Sequence, residues 1–182
     1  MATYKAIHIL KDFSLSELEG LASLFSSEKS IIGKEDNPFK CIAYNPDCYL
    51  KNMDKISRQF ENGNFRPVII TNYKFLALLL WGYKLEEFIF TDFSFKEDGE
   101  EAELEKEIVK GMLSDSDEVG NISNFLEENS QKIQYVELYL KSFQNRVCIH
   151  SNGNISLSNT FDKGLYSFII KIVQFLFIGY TC

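Results

Sequence analysis

Apolar residues recur along this chain in two periods, and the switches between them lay out its elements. Tyr4 to Leu10 carries a strand-like apolar run. Ser14-Leu15-Ser16-Glu17 follows as a capping box, in which the Ser14 hydroxyl accepts from the backbone near Glu17 while Glu17 reaches back. Leu15, Leu18, Leu21, Ala22 and Phe25 then fall at helical spacing, which predicts a helix to Ser26. Phe39 to Tyr44 reads as a short strand. Asn45-Pro46-Asp47 starts a second helix that places Leu50, Met53, Ile56 and Phe60 on one face and stops at Asn62-Gly63. Pro67 to Thr71 reads as a strand entered through a proline. Tyr73 to Trp81 is apolar nearly all round, the mark of a buried helix, closed by Gly82.

The second half is patterned as clearly. Glu86 to Phe95 alternates in part and predicts a strand. Glu100 to Leu113 predicts an amphipathic acidic helix with Leu104, Ile108, Val109 and Met112 facing inward, and Asn121 to Glu128 a shorter helix. Ile133 to Phe143 sets Tyr135, Glu137 and Tyr139 against Val136, Leu138 and Leu140, one wet face and one dry. Arg146 to His150 and Ile155 to Leu157 flank Asn152-Gly153, a hairpin signal because both turn residues tolerate positive φ. Thr160 caps a last helix whose inner face is Leu165, Phe168, Ile169, Ile172, Val173 and Leu176. The expectation is one α+β domain over residues 1–182. Its sheet is mixed or antiparallel, ending in a β-meander backed by helices that include a long apolar C-terminal one. The hairpin-then-helix ending, Arg146 to Phe177, resembles half of a TATA-box-binding-protein-like unit; the likeness implies no site residue.

Composition leaves this picture in place. Of 182 residues, 45% are hydrophobic and 25% charged, the balance of an ordinary globular protein. Met1 to Asp12 lacks the basic start, apolar stretch and cleavage site of a secretory signal. Cys41, Cys48, Cys148 and Cys182 form no C-x-x-C pair, and in that setting read as reduced thiols of a cytoplasmic protein. Leu165 to Tyr180 is interrupted by Lys171 and Gln174 and is shorter than the roughly 20 apolar residues of a membrane span.

Charge changes the picture more. The net charge is −7, yet Glu97 to Glu128 alone holds twelve acidic residues against Lys106 and Lys110, a local −10. The remainder is therefore slightly basic. An acidic face repels nucleic-acid backbones and attracts basic protein surfaces.

Candidate chemistry is sparse. Asp115-Ser-Asp117-Glu-Val119-Gly120-Asn-Ile122 imitates the start of a calcium loop, but Val119 and Leu126 stand where ligand oxygens belong. Cys148 and His150 share a strand face, which permits a thiol–imidazole pair without supplying an activating acid. Asp92 and Glu137 are the conceivable carboxylate acids or bases. There is no Gly-rich phosphate loop, so neither cofactor nor metal is expected. Lys51, Lys55 and Arg58 recur at i, i+4 and i+7 and could track phosphates, diluted by Asp47 and Asp54.

These patterns point to a non-enzymatic interaction protein, an accessory subunit or an inhibitor or immunity-type protein, whose partner is a protein with a basic surface. Its contact residues would be Glu100, Glu101, Glu103, Glu107, Asp115 and Asp117 of the acidic segment. To these are added Tyr135 and Tyr139 on the wet strand face, with Phe93 as a further exposed aromatic. The alternatives are an enzyme with a site scattered along the chain, or a nucleic-acid-associated subunit of a larger assembly using Lys51, Lys55 and Arg58.

Overall fold

The computed structural model describes residues 1–85, 87–96, 99–114, 121, 124, 132–159 and 163–178, and within them the backbone only of 83–85, 101–102 and 113–114. The chain runs β1 (Ala2–Ile9), α1 (Leu15–Phe25), β2 (Ile31–Ile32), β3 (Phe39–Ala43), α2 (Pro46–Lys51), α3 (Met53–Glu61), β4 (Phe65–Pro67), α4 (Asn72–Leu85), β5 (Phe88–Phe95), α5 (Glu100–Ser114), β6 (Ile133–Leu140), β7 (Asn145–His150), β8 (Asn154–Leu157) and α6 (Lys163–Ile178). All strand pairs are antiparallel, in the order β2-β3-β1-β8-β7-β6-β5, with β4 also paired to β1. The α+β class with an antiparallel sheet follows.

Strand alternation sorts the side chains into two faces. On one, Val136, Leu138, Leu140, Val147, Ile149, Ile155 and Leu157 are buried with α4 and α6. Trp81 of α4 stacks on Phe175 of α6, ring centroids 4.6 Å apart, and closes this core. On the other, at the β1–β3–β4 end, Ile7, Ile42 and Phe65 pack against Leu21, Ala22 and Phe25 of α1 and Ile56 of α3. The capping box at Ser14 and Glu17 starts α1 as its spacing implies.

Several expectations are corrected. The second helix breaks at Asn52, whose side-chain amide donates to the carbonyls of Cys48 (2.9 Å) and Leu24 (3.3 Å) and turns the chain toward α1. Ile56 is buried, while Leu50, Met53 and Phe60 stay exposed. The segment after Pro67 is not a strand: Val68 donates to Ala6 O and Ile70 to Ser151 O, wedging residues 68–70 between β1 and the β7–β8 turn. α4 runs through Gly82 to Leu85. Gly82 is the point of closest approach to Phe88, whose ring would lie 2.1 Å from a Cβ there. β6 stops at Leu140 and passes into a 3₁₀ turn over Lys141–Phe143. Apart from residues 121 and 124, the Asn121 to Glu128 helix and the calcium-like loop from Asp115 to Ile122 lie outside the described residues, as does the Thr160 cap.

The Asn-Gly hairpin is present, with a different turn. Only Gly153 has positive φ (+83°), and its N–H donates to His150 O at 2.8 Å. The Asn152 side chain instead accepts from Asn154 N–H at 3.0 Å. This is a three-residue loop ending on a left-handed glycine rather than a two-residue mirror-image turn.

Candidate functional site

The wet face of β5, β6 and β7 collects nearly every reactive side chain singled out in the sequence. Register sets Tyr135 opposite His150, Glu137 opposite Cys148 and Tyr139 opposite Arg146. A bulge between Phe90 and Asp92 shifts the alternation of β5, so that Asp92 pairs with Glu137 on this face. The same shift turns Phe93 inward, where it is only 3% exposed; it is a core residue and not a surface aromatic. Tyr135 and Tyr139 are half-buried, their edges open.

The polar groups are largely satisfied by one another. Thr91 Oγ1 donates to Glu137 Oε1 at 2.7 Å, and Arg146 Nη1 lies 3.3 Å from the same oxygen. Lys106 and Lys110 of α5 approach Asp92 Oδ1 at 3.5 Å, long ion pairs rather than hydrogen bonds. Tyr135 Oη donates to Asp92 Oδ2 at 3.4 Å. Burial, and then the Asp92 carboxylate, push the Tyr135 phenol above its ordinary range. Burial opposes the Lys110 charge, but Glu107 and Asp92 hold its ammonium above its usual value.

Cys148 Sγ does lie 3.5 Å from His150 Nε2. The pair is nonetheless set against nucleophilic work. Burial, then Glu137 and Asp92, push the thiol up to about 11 from 9.0, the reverse of an activated cysteine. Burial likewise pushes His150 down. Three surface clefts, of about 470, 460 and 730 Å³, are lined by other residues. The Cys148–His150 pair is half-buried on the wet face of the sheet and lines none of these three clefts, with no described carboxylate oriented to serve the imidazole as a third group.

The acidic helix departs furthest from its expected burial. α5 packs along β5, an edge strand, and a helix on an edge buries only a narrow stripe. That stripe is Val109 and Met112 toward the core, with Lys106 and Lys110 reaching over to Asp92. Leu104 and Ile108, expected inside, are 66% and 41% exposed. They lie one turn apart beside Glu100, Glu103 and Glu107, all exposed. The helix therefore shows an apolar pair bordered by carboxylates. The Glu101 side chain, Asp115 and Asp117 lie outside the described residues. The periodicity gave the helix; what it could not give was the polar character of the strand face beneath it.

Lys51, Lys55 and Arg58 are exposed, Lys51 at the end of α2 and Lys55 and Arg58 on α3, the two helices meeting at Asn52. Among the described residues no group of three His, Cys, Asp or Glu could hold a metal ion, and no helix is long and apolar enough to cross a membrane. Compared with known proteins, the chain matches no family model, no curated protein and no solved structure.

Proposed function

We propose that this chain is an interaction protein that docks through α5, presenting Leu104 and Ile108 to an apolar groove of a protein partner and Glu100, Glu103 and Glu107 to a basic rim. One observation carries the reading: the two aliphatic side chains that the helix should have buried are exposed, one turn apart, and bordered along one side by the exposed carboxylates of Glu100, Glu103 and Glu107. An amphipathic helix laid in a groove is recognised through anchors at this spacing, with charged neighbours setting register and on-rate. Tyr135 and Tyr139, half-buried on β6, are further contact residues in this reading. The raised pKa of the Cys148 thiol favours recognition over covalent chemistry, and reduced cysteines suit a cytoplasmic setting.

The test is affinity purification at native expression, comparing the wild type with Leu104→Asp/Ile108→Asp and with Glu100→Lys/Glu103→Lys/Glu107→Lys. A partner retained by the wild type should be lost from both variants, and rising salt should weaken wild-type capture. Undiminished recovery by both variants at low salt refutes the reading.

A further inference from the structure

A second surface, remote in chemistry from the acidic helix, is built around positive charge. The largest of the three clefts, about 730 Å³, is lined by Lys5, Lys96 and Lys132 and by no described carboxylate. The three ammonium groups come from separate places in the chain, and the fold brings them together. Lys5 lies on β1, while Lys96 follows β5 and Lys132 precedes β6; Lys96 N–H donates to Lys132 O at 2.8 Å, which fixes that pair side by side. The floor is rigid, because the wedged segment at Val68–Ile70 is bonded to both β1 and Ser151. One wall is Thr71 with the first turn of α4, where Thr71 O accepts from the N–H groups of Lys74 and Phe75, so the positive end of the helix dipole lies at the cleft wall.

Lys5 is the telling residue. Its side chain is half-buried, yet its Nζ donates to a neutral acceptor, Asn152 O at 2.6 Å, and otherwise rests 6.0 Å from the Tyr44 ring. No described carboxylate stands within ion-pair distance of Lys5, Lys96 or Lys132. A partly desolvated cation with no described carboxylate beside it costs free energy that an anion in the cleft would return.

We propose that this cleft binds a small organic phosphate, a mono- to triphosphate carried on a planar ring and of nucleotide size. Lysines act as compact charges that suit phosphate oxygens, and a helix N-terminus adds to the same field. The cleft volume lies within the range of small-ligand sites. Beside the lysines the wall turns apolar, with Ile69 and the Tyr73 ring, 61% and 68% exposed, offering a surface on which a ring can lie. Burial also lowers the Lys5 pKa.

This inference is independent of the docking role of α5. Calorimetric titration of the full chain at low salt, without metal, with ATP, tripolyphosphate and adenosine as probes tests it. ATP should bind one to one, tripolyphosphate more weakly, and adenosine without measurable heat. Lys5→Gln and Lys96→Gln should each weaken ATP binding about tenfold, since each removes a charge-assisted contact. Lys55→Gln/Arg58→Gln, on α3 and lining none of the three clefts, should leave it unchanged. Lys96 is exposed, so its variant keeps the test valid if Lys5→Gln misfolds. The proposal fails if neither phosphate probe binds at millimolar concentration, or if both lysine variants bind ATP like the wild type. It fails equally if a peptide copied from Glu100–Ser114 binds through these lysines while ATP neither binds nor competes, which would make the cleft a docking surface for acidic protein.

Discussion

Cys148, on the wet face of β7, holds a thiol pushed up to about 11 from 9.0, and so roughly a hundredth of the thiolate of an ordinary cysteine near pH 8. Alkylation of Cys148 by iodoacetamide, followed by peptide mass spectrometry, should therefore run about 100-fold slower in the native protein than in urea. Equal rates would reopen the nucleophile reading. At Gly153, in the turn that follows β7, a Cβ would sit 2.0 Å from Val68 O, on a backbone with φ of +83°. Gly153→Ala should cost at least about 2 kcal/mol in urea denaturation and loosen the wedge that floors the basic cleft. The glycine was legible as a turn residue in the sequence, and so was the shared face of Cys148 and His150. The raised pKa of the thiol was not, because it depends first on burial and then on Glu137 and Asp92, which only strand register brings close. Lys40 was equally invisible: it is 3% exposed in β3, its ammonium donating to the carbonyls of Lys34, Glu35 and Asn37.

At the scale of the element, periodicity located helices and strands well and mistook which face of some helices is covered. α1 carries its capping box and, of the five apolar residues at helical spacing, buries Leu18, Leu21, Ala22 and Phe25 against an apolar sheet face while Leu15 in its first turn stays exposed. α5 has the same kind of pattern but meets an edge strand whose outer side is polar, so its lysines turn in and Leu104 and Ile108 stay out. An amphipathic pattern says that a helix has two faces, and the neighbour decides which one is buried. Stability measurements separate the two groups. Leu104→Lys/Ile108→Lys should change unfolding free energy by no more than about 0.5 kcal/mol, as surface substitutions do. Val109→Ala, at a site 3% exposed, should cost about 1 kcal/mol or more through lost burial and a small cavity. If instead the double lysine variant unfolds the protein, Leu104 and Ile108 are core residues and the docking surface does not exist.

For the whole molecule, pH sets two opposing terms. The net charge of −7 falls in magnitude as carboxylates protonate, which relieves self-repulsion and favours the compact state. The histidines work the other way. His8, stacked on Phe39 at 4.7 Å and tilted against Phe177 at 4.5 Å, joins β1 to β3 and α6; burial, with help from the Arg66 charge, holds its pKa below 6.5. His150, across the sheet beside Tyr135, is held below 6.5 by burial. Between each folded value and 6.5 the unfolded chain binds a proton that the folded chain does not, so stability falls as pH falls. The contribution is whole above 6.5, is lost as pH drops through the folded values, and then levels off. Glu17, held below 4.5 by the Ser14 hydroxyl and backbone, adds a loss of the same sign only in more acidic solution. Urea denaturation at pH 7.5, 6.5 and 5.5 should thus show a decline in the wild type that shrinks in His8→Gln/His150→Gln, since the variant keeps the charge relief and lacks the two titrations. An identical decline in both proteins would mean that neither histidine resists protonation in the folded state. The packing of His8 between β3 and α6 would then have to leave its ring open to water.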